Sequence, residues 1–298
     1  MPELLSEIHK KVLLCDGAMG TQLQAAGLEP GECGDGWNLA HPDRVLQIQQ
    51  RYVEAGSDCL TTNTFRANRL ALDAHGLGGK AVEINRRAVE IAREAFGTRP
   101  GFVLGDLGPF GGLLEPYGLT TAEEALDAFL EQAEALVQAG VDAVIIETMT
   151  ALDELELAIR AAREADAPCV IASVAFDLSH DGTAVRTMMG VSPGQAIQLM
   201  QEAGVDVAGT NCGANVDIDW AVRILEQYRR ESDLPLLAQP NAGRPTLSEG
   251  KAVYHSDADS MAASVPALVS AGARIVGACC GSTPEYIQRF RRVLDQLG

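Results

Sequence analysis

The chain has 298 residues, 47% of them apolar and 21% charged, the make-up of an ordinary globular protein. Its formal charge of −18 and pI near 4.6 repel a phosphate backbone, and no lysine- or arginine-rich run offsets this locally, which excludes nucleic acid as a partner. No apolar run reaches the roughly 18 to 20 residues of a membrane span, and the start, with Glu3, Glu7, Lys10 and Lys11 around a short apolar run, lacks a signal-peptide layout. A cytoplasmic location is expected. The seven cysteines, at 15, 33, 59, 169, 212, 279 and 280, are odd in number and scattered, so they read as reduced thiols. Cys59 and Cys169 lie inside apolar runs and read as small buried hydrophobes.

In chain order, short apolar runs alternate with longer helical patterns. Strands are predicted at 12–15, 59–62, 102–105, 143–146, 169–175, 205–209, 236–238 and 274–277. Helices are predicted at 42–55, 81–96, 121–139, 152–165, 193–203, 218–231, 257–271 and 284–296, several with N-terminal signals such as Ser192 before Pro193 and Thr283 before Pro284. Eight such units in a chain of this length predict a single-domain α/β fold spanning 1–298, a (β/α)8 TIM barrel.

An internal repeat supports the count. Gly56, Gly140, Gly204 and Gly272 each close a helix before an apolar strand. Seven and eight positions later come Asn63-Thr64, Glu147-Thr148, Asn211-Cys212 and Cys279-Cys280. These are the ends of strands two, four, six and eight, which in a barrel meet at the C-terminal rim where such folds do their chemistry. Three thiols therefore converge. Zinc takes tetrahedral sulfur ligands and in catalytic sites keeps one position open. A redox pair of Cys279 with Cys280, or one buried and one exposed thiol, are the other readings of the vicinal cysteines. In a regular strand the two would face opposite ways; joint ligation requires the strand to break there, which Gly281 permits.

Other rim residues carry polar chemistry. Asp16 opens the turn Asp16-Gly17-Ala18-Met19-Gly20-Thr21, whose backbone N–H groups can face a carboxylate while Asp16 accepts from an ammonium. Glu147 follows an apolar run and calls for a cationic partner. Taken singly, Asp16 reads as a turn cap and Glu147 as one half of a structural ion pair; together they read as a clamp for an amino-acid head group. Asn241, in Pro240-Asn241-Ala242-Gly243, reads as a loop cap, a substrate contact or an occupant of the open metal position. Arg66 and Asp106 lie at strand ends, and a salt bridge between them is favoured over a catalytic role. Asp73-Ala74-His75-Gly76-Leu77-Gly78 fits a corrinoid-binding string, but His75 reads as a surface turn residue.

The motifs Asp16-Gly-Ala-Met-Gly-Thr, Thr62-Asn-Thr-Phe, Asn211-Cys-Gly, Pro240-Asn-Ala-Gly and Gly277-Ala-Cys-Cys-Gly-Ser-Thr-Pro-Glu resemble those of the homocysteine S-methyltransferase family. The likeness is strongest to the N-terminal homocysteine module of cobalamin-dependent methionine synthase, and it is collinear over essentially the whole chain. It implies Zn2+ held by Cys212, Cys279 and Cys280, and homocysteine held by Asp16, Gly17, Ala18 and Glu147, with Asn241 near the metal. Arg66 stands where relatives commonly have tyrosine or glycine and Asp106 where a small residue is usual, both expected on the donor side.

By that resemblance the zinc-activated substrate thiolate is the nucleophile and no general base is needed. Three cysteinates leave the site one negative charge in excess, which keeps a bound sulfur reactive. The expected reaction is methyl transfer to homocysteine, forming methionine. The donor is a separate methyl-corrinoid protein, a sulfonium such as S-methylmethionine or S-adenosylmethionine, or a betaine-like onium compound. No cobalamin is expected on this chain itself. A noncatalytic zinc- and homocysteine-binding subunit regulating a corrinoid partner is the alternative.

Overall fold

Eight parallel strands form one sheet in the computed structural model, which describes residues 3–213, 215–243, 246–248 and 251–297. They are β1 (Leu13–Leu14), β2 (Cys59–Thr61), β3 (Phe102–Leu107), β4 (Ala143–Met149), β5 (Val170–Val174), β6 (Val207–Asn211), β7 (Leu236–Gln239) and β8 (Ala273–Val276). The helices that alternate with them are α1 (Pro42–Ala55), α2 (Ala81–Phe96), α3 (Ala122–Gln138), α4 (Leu152–Glu164), α5 (Pro193–Glu202), α6 (Ile218–Glu231), α7 (Ala258–Ser270) and α8 (Pro284–Leu297). Strand order β1-β8-β7-β6-β5-β4-β3-β2 makes a nearly closed ring, the expected (β/α)8 TIM barrel.

The internal repeat has a structural cause. Gly56, Gly140, Gly204 and Gly272 all have positive φ, between 74° and 107°, and so end α1, α3, α5 and α7 in the left-handed conformation that favours glycine. Two residues later, three of the four units place an aspartate with a common task. Asp58 Oδ2 accepts from Leu14 N at 2.9 Å, Asp142 Oδ2 from Val103 N at 2.7 Å and Asp206 Oδ2 from Val170 N at 2.8 Å. Each aspartate also donates its own N–H to the carbonyl of the residue it caps. Arginines neutralise them from neighbouring helices: Arg291 on Asp58, Arg93 on Asp142 and Arg163 on Asp206. In the last unit Arg274 takes this place, and no cap of this kind forms.

These aspartates explain where strand six begins. It was expected at 205–209, but Val205 N bonds back to Met200 O and Asp206 is committed to its cap. The strand therefore starts at Val207 and extends to Asn211. β3 and β4 likewise run past their expected ends, to Leu107 and Met149.

Inside the barrel, Leu13, Cys59, Leu104, Ile145, Cys169, Ile171, Val207, Leu237 and Ile275 form a closed apolar core, with Leu4 and Ile8 of an N-terminal helix (Glu3–Ile8) packed into it. Cys59 and Cys169 are buried hydrophobes, as expected. Only the opposite, C-terminal end is open to polar chemistry. Among the described residues no helix is long and apolar enough to cross a membrane.

Replacing Asp142 by alanine removes the acceptor for Val103 N and the partner of Arg93. The expected cost is roughly 1–3 kcal/mol, read as a lower urea midpoint; a loss below about 0.5 kcal/mol would contradict the capping role.

Candidate active site

β8 ends at Val276, three residues before Cys279, so the alternation of a strand no longer governs the two cysteines. The chain then turns at Gly281, where φ is +81° and an added Cβ would lie 2.1 Å from the Tyr254 ring. Cys279 N is fixed on Pro240 O at 2.8 Å and Ala278 N on Asp16 O at 3.1 Å. Across the rim, Cys212 follows β6 with φ +57°, a conformation rare for a non-glycine residue. The result is that the Cys212, Cys279 and Cys280 sulfurs all lie within 4.8 Å of one another, Cys279 and Cys280 at 3.9 Å. Hydrogen bonds from Cys212 and Cys279 hold Cys280 down to about 3, while sulfur neighbours and burial push Cys279 well up.

This cluster fits zinc. Tetrahedral ligation with Zn–S of about 2.3 Å sets ligand sulfurs ~3.8 Å apart, close to the spacing found. The described residues bring three ligands together and no fourth, the arrangement of a site with an open position.

The sulfurs face a cavity of about 430 Å³ that is also lined by Gly17, Ala18, Asp106 and Glu147. Asp16 lies beneath it, 1% exposed. Burial raises its carboxyl to about 7 in spite of the opposing hydrogen bonds from Thr61, whose N–H and Oγ1 donate at 2.8 and 3.0 Å. Together with the Asp58 contacts, the Thr61 N–H bond ties β1 to β2, where the barrel has no regular ladder. At Gly17 a Cβ would come within 2.6 Å of Ser282 Oγ, which explains the missing side chain. Ala18 N–H is already donated to Ser282 Oγ at 3.0 Å. Among the described residues the N–H groups of Gly17 and Met19 have no hydrogen-bond partner, so the turn's carboxylate-facing capacity rests on them.

Glu147 ends the apolar part of β4, and Thr148 turns the backbone with φ +61°. Burial, then the proximity of Cys212 and Asp16, raises the Glu147 carboxyl to about 8, and a hydrogen bond with Asp106 opposes the shift. Asn211 fixes this corner. Its Nδ2 donates to Glu147 Oε2 at 3.2 Å and to Thr148 Oγ1 at 2.7 Å, and its Oδ1 accepts from Thr148 N at 2.9 Å and Ser173 Oγ at 2.7 Å. Asn211, Thr61 and Ser282 were not singled out from the sequence as site residues. Asn211 had a signal, its seventh place after the glycine of the repeat.

One expectation ends differently. Among the described residues Arg66 and Asp106 form no ion pair: Arg66 N is held by Asp35 Oδ1 at 3.0 Å, and the Asp106 carboxyl turns to Glu147 instead. The strand alternation that buries Asp106 on the cavity side of β3 decides this. Asn241 is buried but does not line the cavity; its Nδ2 donates to Gly213 O at 2.9 Å, beside Cys212. His75 is an exposed turn residue, as expected.

The sequence model of the homocysteine S-methyltransferase family matches residues 13–294. The chain belongs to the homocysteine S-methyltransferase family. It is 32% identical to methionine synthase of Mycobacterium leprae over 96% of its length and 31% identical to that of Mycobacterium tuberculosis over 99%. It spans only about a quarter of those relatives, 24% and 26%. Among solved structures, the metallated form of the Escherichia coli homocysteine methyltransferase MmuM superposes with a TM-score of 0.77 at 23% identity, covering 96% of this chain and 98% of that one, a likeness of fold. The family assignment makes this chain an enzyme of the methyltransferase class.

The raised carboxyls carry a sign for stability. Asp16 and Glu147 go from 3.8 and 4.5 to about 7 and about 8 on folding, so the folded state binds the extra protons between these limits and stability falls as pH rises through the window. In metal-free, substrate-free protein, Glu147→Gln should therefore gain in Tm relative to wild type as pH rises from about 4.5 to about 8. A difference that stays constant across that range would contradict the assignment.

Proposed function

We propose that this enzyme transfers a methyl group to the thiolate of homocysteine, forming methionine, with zinc held by Cys212, Cys279 and Cys280. The observation that carries the reading is the convergence of three cysteine sulfurs, with no fourth ligand among the described residues, on the cavity that Glu147 also lines. Family membership supports homocysteine as the acceptor.

When bound, zinc supplies the charge that keeps a coordinating thiol deprotonated near neutral pH, where a free thiol of pKa about 8.5 is mostly protonated. The chain's own groups then position the amino acid. Glu147 and Asp16 take the α-ammonium, and the free N–H groups of Gly17 and Met19 take the carboxylate. Asn211 holds Glu147 in register with Cys212, its neighbour in sequence. The sulfur lone pair forms the new S–CH3 bond, and the bonding pair leaves with the donor. Among the described residues no histidine lines the cavity.

For the donor, we favour a methyl-corrinoid bound outside these 298 residues. The resemblance to the homocysteine module of methionine synthase and the 31–32% identities support it. A sulfonium such as S-methylmethionine is the second class.

The test follows homocysteine consumption by zinc-loaded protein with each donor in turn, beside zinc content. Cys212→Ala should lose bound zinc and more than about a hundredfold of the activity; full activity in that variant would end the zinc-thiolate reading.

A further inference from the structure

Asp106 has no assigned task in the site as described so far. It is 4% exposed, lies near the C-terminal end of β3 and lines the cavity beside Glu147. Its N–H is held by Thr62 Oγ1 at 2.9 Å, and its carbonyl accepts from Thr64 Oγ1 at 2.8 Å and Gln132 Nε2 at 3.1 Å, so the backbone is locked from both sides. The side chain is in a different condition. Among the described residues Oδ1 is buried and receives no hydrogen bond from any amide or hydroxyl, and the carboxyl's close companion is the acid of Glu147. A rigidly mounted, buried acid aimed at a second acid is costly unless a cation completes it. Arg66 also lines the cavity, and among the described residues it forms no ion pair with Asp106.

The charges around the cavity show which ligand group would meet this need. Asp16 is already engaged: Oδ2 accepts from Thr61 N, and Oδ1 from Thr61 Oγ1 and the Cys15 thiol. Glu147 has one amide donor, Asn211 Nδ2. Asp106 Oδ1 has none. An ammonium offers three N–H donors and one positive charge, and the two under-used acids lie side by side.

We propose that Asp106 is a specificity-determining residue of this site: with Glu147 it receives the α-ammonium of the amino-acid thiol, and so distinguishes homocysteine from thiols that lack the amine. The inference rests on the reading of the cavity as a homocysteine site. It shifts the ammonium contact from the Asp16–Glu147 pair toward Glu147–Asp106, and leaves Asp16 chiefly to join β1 to β2.

The experiment measures equilibrium binding of L-homocysteine and of 4-mercaptobutanoate, which keeps the thiol and carboxylate but lacks the amine, to zinc-loaded protein by calorimetry. Wild type should prefer homocysteine. Asp106→Asn, close in shape but uncharged, should weaken homocysteine binding by about tenfold or more and change 4-mercaptobutanoate by less than about twofold. Asp106→Ser should show the same selective loss, so that a folding defect in one variant does not decide the result. Homocysteine binding unchanged in both variants, or equal losses for the two ligands, overturns the role of Asp106 while leaving the homocysteine site intact. Wild-type protein that binds neither ligand overturns the reading of the site, and this inference with it.

Discussion

Negative charge confined in one small cavity is the constraint on which the rest of this site depends. Three cysteine sulfurs, Glu147 and Asp106 surround about 430 Å³, with Asp16 directly beneath. In a space screened from bulk water such groups cannot all ionise together. The conflict shows in the groups themselves: burial and neighbouring acids push the Glu147 and Asp106 carboxyls up, and the Cys279 sulfur lies 3.9 Å from that of Cys280. Each crowded set of acidic groups marks a place where a cation can enter. Zinc answers the sulfur cluster and a substrate ammonium answers the acids, so the two halves of the proposed complex are complementary to the two halves of the cavity.

The barrel makes this concentration of charge tolerable. Its interior is apolar and closed at the far end by Leu4 and Ile8, so polar chemistry is confined to one rim. The even strands deliver the functional pairs because a glycine-ended helix sets where each strand begins, with an aspartate cap beside it in three of the four units. Two of the three non-glycine residues with positive φ among the described residues lie at the same place. Thr148 and Cys212 both adopt positive φ, and Asn211 binds across the gap between them. Such strain persists only where neighbouring bonds over-determine the geometry, and four hydrogen bonds to one asparagine side chain supply that here.

Much of this was legible in the chain. Strand and helix periods, the glycine-ended repeat and the spacing of cysteines led to a barrel with three thiols at one rim, and the structure places them there. The repeat worked because a glycine that ends a helix sets the register of everything after it. Side-chain direction was less accessible. Asp106 and Arg66 were paired from their shared position at strand ends, yet strand alternation turns Asp106 to Glu147 while Asp35 captures the Arg66 backbone. Asn211 escaped notice as a positioning residue because its partners, Glu147, Thr148 and Ser173, come from two other strands. Strand six was misplaced by two residues because an aspartate that caps a neighbouring strand looks, in sequence, like the start of its own.

The central claim is that three cysteinates hold a metal whose remaining position belongs to the substrate sulfur. X-ray absorption at the zinc edge tests it directly. Zinc-loaded protein should show three sulfur scatterers at about 2.3 Å, and a fourth on addition of homocysteine. Fewer than three sulfurs at the start, or a sulfur count that homocysteine leaves unchanged, would contradict it.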